Sequence, residues 1–284
     1  GMMNYIHFEE LLPNPTVAAY HKLDYLIRRF ELSYHYSASL FARARQKEKS
    51  AQSGIFAFAP VYEQSEHKVK QVAQTTIPSK LRTFRQDGTY APLPESEREV
   101  KTIAQLFGEA EQDTSNQFLA IRQNADETTL KNHLSMPYKY IHIAGHSFAN
   151  LEHPKFSGIA CFSEKESTTS KEDGVLYAGE IYNIKTQADL VILSSCESGF
   201  GKLELAEGLM GLNRAFIFNG TPNVVFSLWK VYDKINAKVM IDFYREVFSG
   251  QSYSSSLRQA KLELLAKPET AAPHYWSPYL LIGC

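Results

Sequence analysis

Two segments of this sequence end in side chains that could catalyse a reaction together. The first, LVILSSCESGFG at 190–201, is an apolar run that meets Cys196 and then becomes polar and glycine-rich. The second, YIHIAGHS at 140–147, leads from an apolar run to His146. A thiol becomes an effective nucleophile when an imidazole accepts its proton and backbone N–H groups hold the developing oxyanion. The pair therefore indicates a cysteine protease, although each residue taken alone is more often packed in a core.

Such a pair works only if the two segments are neighbouring strands of one sheet. The chain favours this, because strands that are apolar throughout alternate with helices, as in α/β proteins whose parallel sheet is covered on both faces. Strands are predicted at 30–37, 54–62, 116–122, 138–147, 188–196, 223–229 and 277–284, and helices at 16–29, 38–49, 94–108, 126–134, 204–220, 234–250 and 254–266. We expect an α/β fold with a mostly parallel sheet of roughly six strands and helices on both faces.

Two further features complete the predicted organisation. Segments 156–163 and 174–183 flank a charged loop, which predicts a protruding β-hairpin insertion over 156–181. Residues 1–50 are interpreted as an N-terminal helix–strand–helix segment packed on a main domain at 51–284. The two are expected to form one structural unit.

Composition and charge exclude several classes of function. The 284 residues are 44% hydrophobic, and a net charge of −1 with a pI near 6.8 leaves no basic surface for nucleic acid or membrane. Three cysteines form neither a disulfide framework nor a zinc motif. His142 and His146 lie four residues apart on a predicted strand, about 13 Å, which is too far for one shared metal. We therefore expect no cofactor, a core or supporting role for His142, and a cytoplasmic location.

The sequence resembles the CHAT domain, a caspase-like peptidase domain that is related to separases and caspases and is often attached to tetratricopeptide repeats in bacteria. The resemblance rests on YIHIAGHS, on LVILSSCESGFGKLELAEGLMGLNRAFIFNGTPNVVFSLWKVYD and on the closing HYWSPYLLIG. Looser matches are ELSYHYSASL, GIFAFAPVY and LPESEREVKTIAQLFG, so the resemblance covers nearly the whole chain.

This resemblance implies a clan CD cysteine endopeptidase that acts on protein or peptide substrates. Carried over, Cys196 is the nucleophile and His146 is the general base and acid. The backbone N–H groups of Cys196 and of the residue after the histidine form the oxyanion hole. That residue is Ser147 here, where the family usually has glycine. A tetratricopeptide-repeat region or a partner protein is the implied macromolecular partner.

The selectivity of such an enzyme depends on the acids beside its cleft. By resemblance, Glu197 and Asp233 line the pocket for the residue before the scissile bond, which predicts a preference for arginine or lysine. The alternative for Asp233 is to cap the helix predicted directly after it, because aspartate is among the best N-cap residues. Both interpretations remain open at the level of sequence.

Two other functions are compatible with the sequence. The first is a catalytically inactive caspase-like scaffold or protein-interaction module, since fold alone does not establish activity. The second is a serine α/β-hydrolase in which Ser147 is the nucleophile and His274 the base. A nucleophile elbow must lead directly into a helix, whereas Ala149 and Pro154 follow Ser147 here. This third interpretation is therefore the least favoured.

Overall fold

A computed structural model describes most of the chain. The described part contains nine strands and seven α-helices, each helix at least four residues long. It covers residues 7–14, 17–39, 41–42, 53–62, 90, 92–150, 153–163, 172–194, 205–229 and 231–283, with the backbone alone for 205–210. The strands are β1 (Ile55–Ala59), β2 (Gln117–Ile121), β3 (Tyr140–Ala144), β4 (Ser147–Phe148), β5 (Gly158–Ala160), β6 (Val175–Tyr177), β7 (Leu190–Ser194), β8 (Asn223–Ser227) and β9 (Tyr279–Ile282). The helices are α1 (Pro94–Glu111), α2 (Glu127–Leu134), α3 (Ala178–Ile181), α4 (Leu205–Phe218), α5 (Asp233–Phe248), α6 (Tyr253–Leu265) and α7 (Pro273–Trp276).

The main sheet has six strands in the order β2-β1-β3-β7-β8-β9. Every pairing is parallel except the last, in which β9 runs antiparallel to β8. Strands β1, β3, β7, β8 and β9 are buried at every residue, as expected for strands covered on both faces. The predicted mostly parallel sheet is confirmed.

Helices cover both faces of this sheet. Successive side chains of a strand point to opposite faces, and in β3 Tyr140 packs among residues of α1, α5 and α6, whereas Ile141 packs among residues of α2, α3 and α4. Helix α2 begins where predicted, because the Asp126 carboxylate accepts a hydrogen bond of 2.7 Å from the backbone N–H of Thr129. Among the described residues, no helix has both the length and the apolar character needed to cross a membrane.

The predicted hairpin is confirmed and has a third strand. Strands β5 and β6 pair antiparallel, and β4 joins them through the pair Ser147 and Ile159. The strand predicted over 174–183 ends at Tyr177, where α3 begins. The Glu180 carboxylate accepts a 2.9 Å hydrogen bond from the Tyr177 backbone N–H, which satisfies a donor that a helix start leaves unpaired. The charged tip at 164–171 lies outside the described residues.

The N-terminal segment differs from the predicted helix–strand–helix. Two 3-10 turns, Tyr20–Lys22 and Leu26–Arg28, replace the helix predicted over 16–29. Leu23, Tyr25 and Ile27 are buried at every second position, a period typical of extended chain. The strand predicted over 30–37 is reduced to one bridge between Tyr34 and Ile282, on the edge of β9. Most of the helix predicted over 38–49 lies outside the described residues.

Candidate active site

The two strands that lead to the candidate catalytic residues are neighbours in the sheet. Strands β3 and β7 pair in parallel from Tyr140 with Leu190 to Ala144 with Ser194, a constant offset of 50 positions. His146 and Cys196 have the same offset, and each comes two residues after the last pair. Cys196 and Glu197 themselves lie outside the described residues. The structure thus shows the histidine side of the candidate site and the strand end that precedes the cysteine.

His146 is completely buried and packs against two tyrosine rings, which also contact each other. Its ring lies 5.1 Å from that of Tyr90, nearly parallel at 12°, and 4.8 Å from that of Tyr62 at 40°. The Tyr62 hydroxyl donates a 2.8 Å hydrogen bond to the Ala160 carbonyl, and the Ala160 N–H donates one of 2.9 Å to the His146 carbonyl. Because the Tyr62 and Tyr90 rings also lie 4.8 Å from each other, the three rings form a compact triangle, and the hydrogen bond from Ala160 joins the His146 backbone to strand β5.

Sequence reasoning missed both tyrosines. Tyr62 lies just after β1, the strand beside β3, so its place at the same sheet edge was a usable signal. Tyr90 lies in the polar stretch between the strand predicted at 54–62 and the helix predicted at 94–108, where a single aromatic residue carries no periodic signal. Burial raises the pKa of both hydroxyls well above that of free tyrosine, so both rings remain neutral beside the imidazole.

Ser147 begins strand β4 and is buried. A nucleophile elbow requires a strand, a sharp turn and then a helix. Because a second β-strand follows here instead, the local structure contradicts the serine-hydrolase interpretation. His274 lies in α7, where its carbonyl accepts a 3.1 Å hydrogen bond from the Trp229 indole N–H.

Asp233 caps a helix, but a different one from the helix predicted. It is the first residue of α5, and the N-cap of this helix is Tyr232. No side chain in the described region makes a capping hydrogen bond at the start of α5. The Asp233 Oδ2 atom instead accepts a 2.9 Å hydrogen bond from the Glu95 backbone N–H, in the first turn of α1. The predicted cap of its own helix is therefore wrong, because the N-termini of α1 and α5 lie side by side. Burial raises the pKa of Asp233 to about 6.

Two clusters of titratable side chains bear on possible metal binding. His142 has no exposed surface, and its Nε2 lies 2.7 Å from Glu99 Oε1, which agrees with the expected core or supporting role. Among the described residues, the carboxylates of Glu127, Glu172 and Glu180 are close enough to share an ion. The Lys131 ammonium already lies 2.5 to 2.7 Å from all three. A protein cation thus occupies the place that a metal would take.

A mostly parallel six-stranded sheet, covered by helices and extended by a small antiparallel sheet, defines a caspase-like α/β protein. The chain belongs to the CHAT domain family, whose model matches residues 1–284. The family inferred from the sequence motifs is thereby confirmed.

The chain is similar to two tetratricopeptide repeat proteins and to a separase over most of its own length. The chain is 22% identical over 243 residues to tetratricopeptide repeat protein 28 of Mus musculus and 21% identical over 243 residues to that of Homo sapiens. Each match covers 79% of this chain and 10% of the relative. A chain in the crystal structure of the Saccharomyces cerevisiae separase–securin complex is similar with a TM-score of 0.53 and 12% identity, over 94% of this chain and 15% of that one. At this identity, the likeness shows the fold alone.

Proposed function

We propose that this chain is a cysteine endopeptidase that cleaves protein substrates with Cys196 and His146. The supporting observation is the pairing of Ala144 with Ser194 at the ends of β3 and β7. Neighbouring strands are about 4.8 Å apart, and two residues of chain span at most about 7 Å. Covalent geometry therefore keeps Cys196 close to the strand end beside His146.

The proposed reaction uses this pair twice. His146 accepts the Cys196 thiol proton, and the thiolate attacks the scissile carbonyl carbon. The backbone N–H groups of Cys196 and Ser147 hold the oxygen that becomes negative. The C–N bond then breaks as His146 returns the proton to the leaving amine. Water, deprotonated by the same imidazole, hydrolyses the thioester and restores the thiol.

Selectivity for a basic residue before the scissile bond is part of this proposal. Glu197 and Asp233 supply the negative charge. Since Oδ2 of Asp233 already accepts a hydrogen bond from the Glu95 N–H, a basic substrate side chain would share this carboxylate with the first turn of α1. Cleavage of a peptide library should favour arginine or lysine at this position, and Asp233→Asn should weaken that preference. Preference for acidic or apolar residues, or an unchanged profile in Asp233→Asn, would remove the pocket role and leave the cap.

One observation favours the second candidate function, an inactive scaffold. His146 has no exposed surface, so a substrate reaches it only after Tyr62, Tyr90 or another covering group moves. A protein partner, such as a tetratricopeptide-repeat region like those that give the curated relatives their names, could drive this movement or could bind a scaffold that never cleaves.

Cleavage of the peptide library by three variants separates the two functions. Cys196→Ala should abolish cleavage, and His146→Ala should lower the rate by about 10²- to 10⁴-fold. The matched control is Cys161→Ala, because burial raises the pKa of the Cys161 thiol well above its usual value and leaves it unreactive. Full cleavage by Cys196→Ala refutes the mechanism. No cleavage by the wild type, with or without a repeat-domain partner, supports the scaffold.

A further inference from the structure

Four polar side chains meet in the core just below the candidate site. Glu99 comes from α1, His142 from β3, Ser194 from β7 and Asn236 from α5, and none is more than 3% exposed. We call them the Glu99 cluster. Together they link both strands that lead to the candidate catalytic residues to two helices on one face of the sheet.

The hydrogen bonds of the Glu99 cluster have a defined direction. The Asn236 amide nitrogen can only donate, and it lies 2.7 Å from the Ser194 Oγ. The Ser194 hydroxyl therefore turns its proton towards Glu99 Oε1, 2.5 Å away. The same carboxylate oxygen lies 2.7 Å from His142 Nε2. Ser194 is thus held from two sides, and Glu99 is shared between β3 and β7.

Burying the polar groups of the Glu99 cluster costs free energy of hydration, which suggests that the cluster has a role beyond stability. A buried carboxyl group loses its hydration, and apolar residues of similar volume commonly pack in its place without loss of stability. Hydrogen bonds fix the orientation of a side chain more tightly than apolar packing does. Here they fix Ser194, the last residue of β7, which lies two positions before Cys196.

The cluster also reaches the start of α5. Asn236 lies one turn after Asp233, whose carboxylate binds the first turn of α1, and Glu99 lies one turn after Glu95. Helices α1 and α5 are therefore joined directly at their first turns and, one turn further, through Ser194 of β7. A shift of either helix would be transmitted to Ser194 through Glu99 or Asn236.

We propose that the Glu99 cluster positions the nucleophile, with Glu99 and Asn236 acting through Ser194 to set where Cys196 leaves the sheet. These are positioning residues that do not touch the substrate. The inference rests on the proposed function, because the thiol that they position is the proposed nucleophile.

Site-resolved alkylation of the full chain with iodoacetamide tests this role without a substrate. Trypsin releases Cys196 on peptide 186–202 and Cys161 on peptide 156–165, so mass spectrometry measures the two rates separately. Cys161 is buried, and its labelling therefore reports loss of the folded core. The variants are Ser194→Ala and Glu99→Gln, each compared with the wild type and with His146→Ala.

We expect Ser194→Ala to slow labelling of Cys196 at pH 7 by up to about 30-fold, since a thiol that is displaced from its imidazole partner returns towards a pKa of about 8.5 and is then only about 3% thiolate. Glu99→Gln, which keeps the shape but not the charge, should have a smaller effect in the same direction. The matched control is Ser256→Ala, which removes a fully buried serine hydroxyl from α6 outside the cluster and should change neither rate.

Each alternative outcome has a distinct meaning. Unchanged Cys196 labelling in Ser194→Ala and Glu99→Gln, together with slow labelling in His146→Ala, overturns the positioning role alone. Faster labelling of Cys161 in both cluster variants assigns the cluster to folding stability and also overturns it. An unchanged rate in His146→Ala overturns the proposed pair of catalytic residues, and the positioning role with it.

Discussion

A buried ion pair joins the N-terminal segment to helix α6. Removing one member of this pair tests how the segment packs on the helix. The Glu9 carboxylate bonds to the Lys261 ammonium of α6, and Lys261 has no exposed surface. Burial raises the pKa of Glu9 and lowers that of Lys261, so each group depends on the other to remain charged. Lys261→Met leaves the carboxylate alone in the core.

The expected magnitude follows from this burial. Breaking a buried pair by removing one partner costs about 3–5 kcal/mol, whereas replacing both partners with apolar residues is often neutral. At about 2–4 °C per kcal/mol for a large domain, Lys261→Met should lower Tm by roughly 6–20 °C. The double variant Glu9→Leu with Lys261→Met should recover most of the loss.

Intrinsic fluorescence is a suitable assay, because both tryptophans contact the N-terminal segment. The Trp276 ring lies 5.2 Å from that of Tyr25, and the Trp229 ring lies 4.9 Å from that of His7. Urea unfolding should show the single variant destabilised and the double variant close to the wild type. A single variant as stable as the wild type would refute the buried pair, and a double variant no better than the single would refute the coupling.

Two further predictions concern pH and the burial of the histidine. Burial and a hydrogen bond shared with Glu172 raise the pKa of Glu127 from 4.5 to about 7, so the wild type loses stability as pH rises through that range. Glu127→Gln stays neutral, so its free energy of unfolding, measured by urea titration, should fall less than that of the wild type between about pH 5 and 8, by on the order of 1–2 kcal/mol. Parallel pH profiles of the two proteins would contradict the shift. Tyr90→Ala should cost about 3–5 kcal/mol and open His146 to diethyl pyrocarbonate, measured by peptide mapping, whereas Tyr90→Phe should keep it protected. Equal modification of His146 in the two Tyr90 variants would show that this ring does not cover it.

The core of the fold could be predicted because its signals are local. Continuous apolar runs mark β1, β3, β7 and β8, and their alternation with helices is enough to specify a covered parallel sheet. The helix predicted over 16–29, where Tyr20, Leu23 and Ile27 have helical spacing, is absent, and the residues that become buried are Leu23, Tyr25 and Ile27. Their burial at every second position is decided by the surface of α6 and α7, which lies more than 200 positions away in the sequence.

The candidate site likewise combines features with a local sequence signal and features that depend on tertiary contacts. The choice of His146 and Cys196, which stays a prediction, rests on two signals that the sequence shows, the type of residue and its expected place after a strand. The contacts of Asp233 with Glu95, and of Ser194 with Glu99, join residues separated by 138 and 95 positions. Glu99 reads as an ordinary acid in an amphipathic helix until the strand that it faces is known. Tertiary contacts of this kind produce no periodic pattern in the sequence.

Covalent capture of the nucleophile tests the central claim most directly. A set of peptidyl ketone probes that react irreversibly with an active thiol, and that vary the residue before the reactive group, is mixed with the full chain and mapped by mass spectrometry. The account predicts a label on peptide 186–202 at Cys196, none at the buried Cys161, and loss of the label in His146→Ala. An unlabelled Cys196 in the wild type, or equal labelling in His146→Ala, would contradict the proposed catalytic pair.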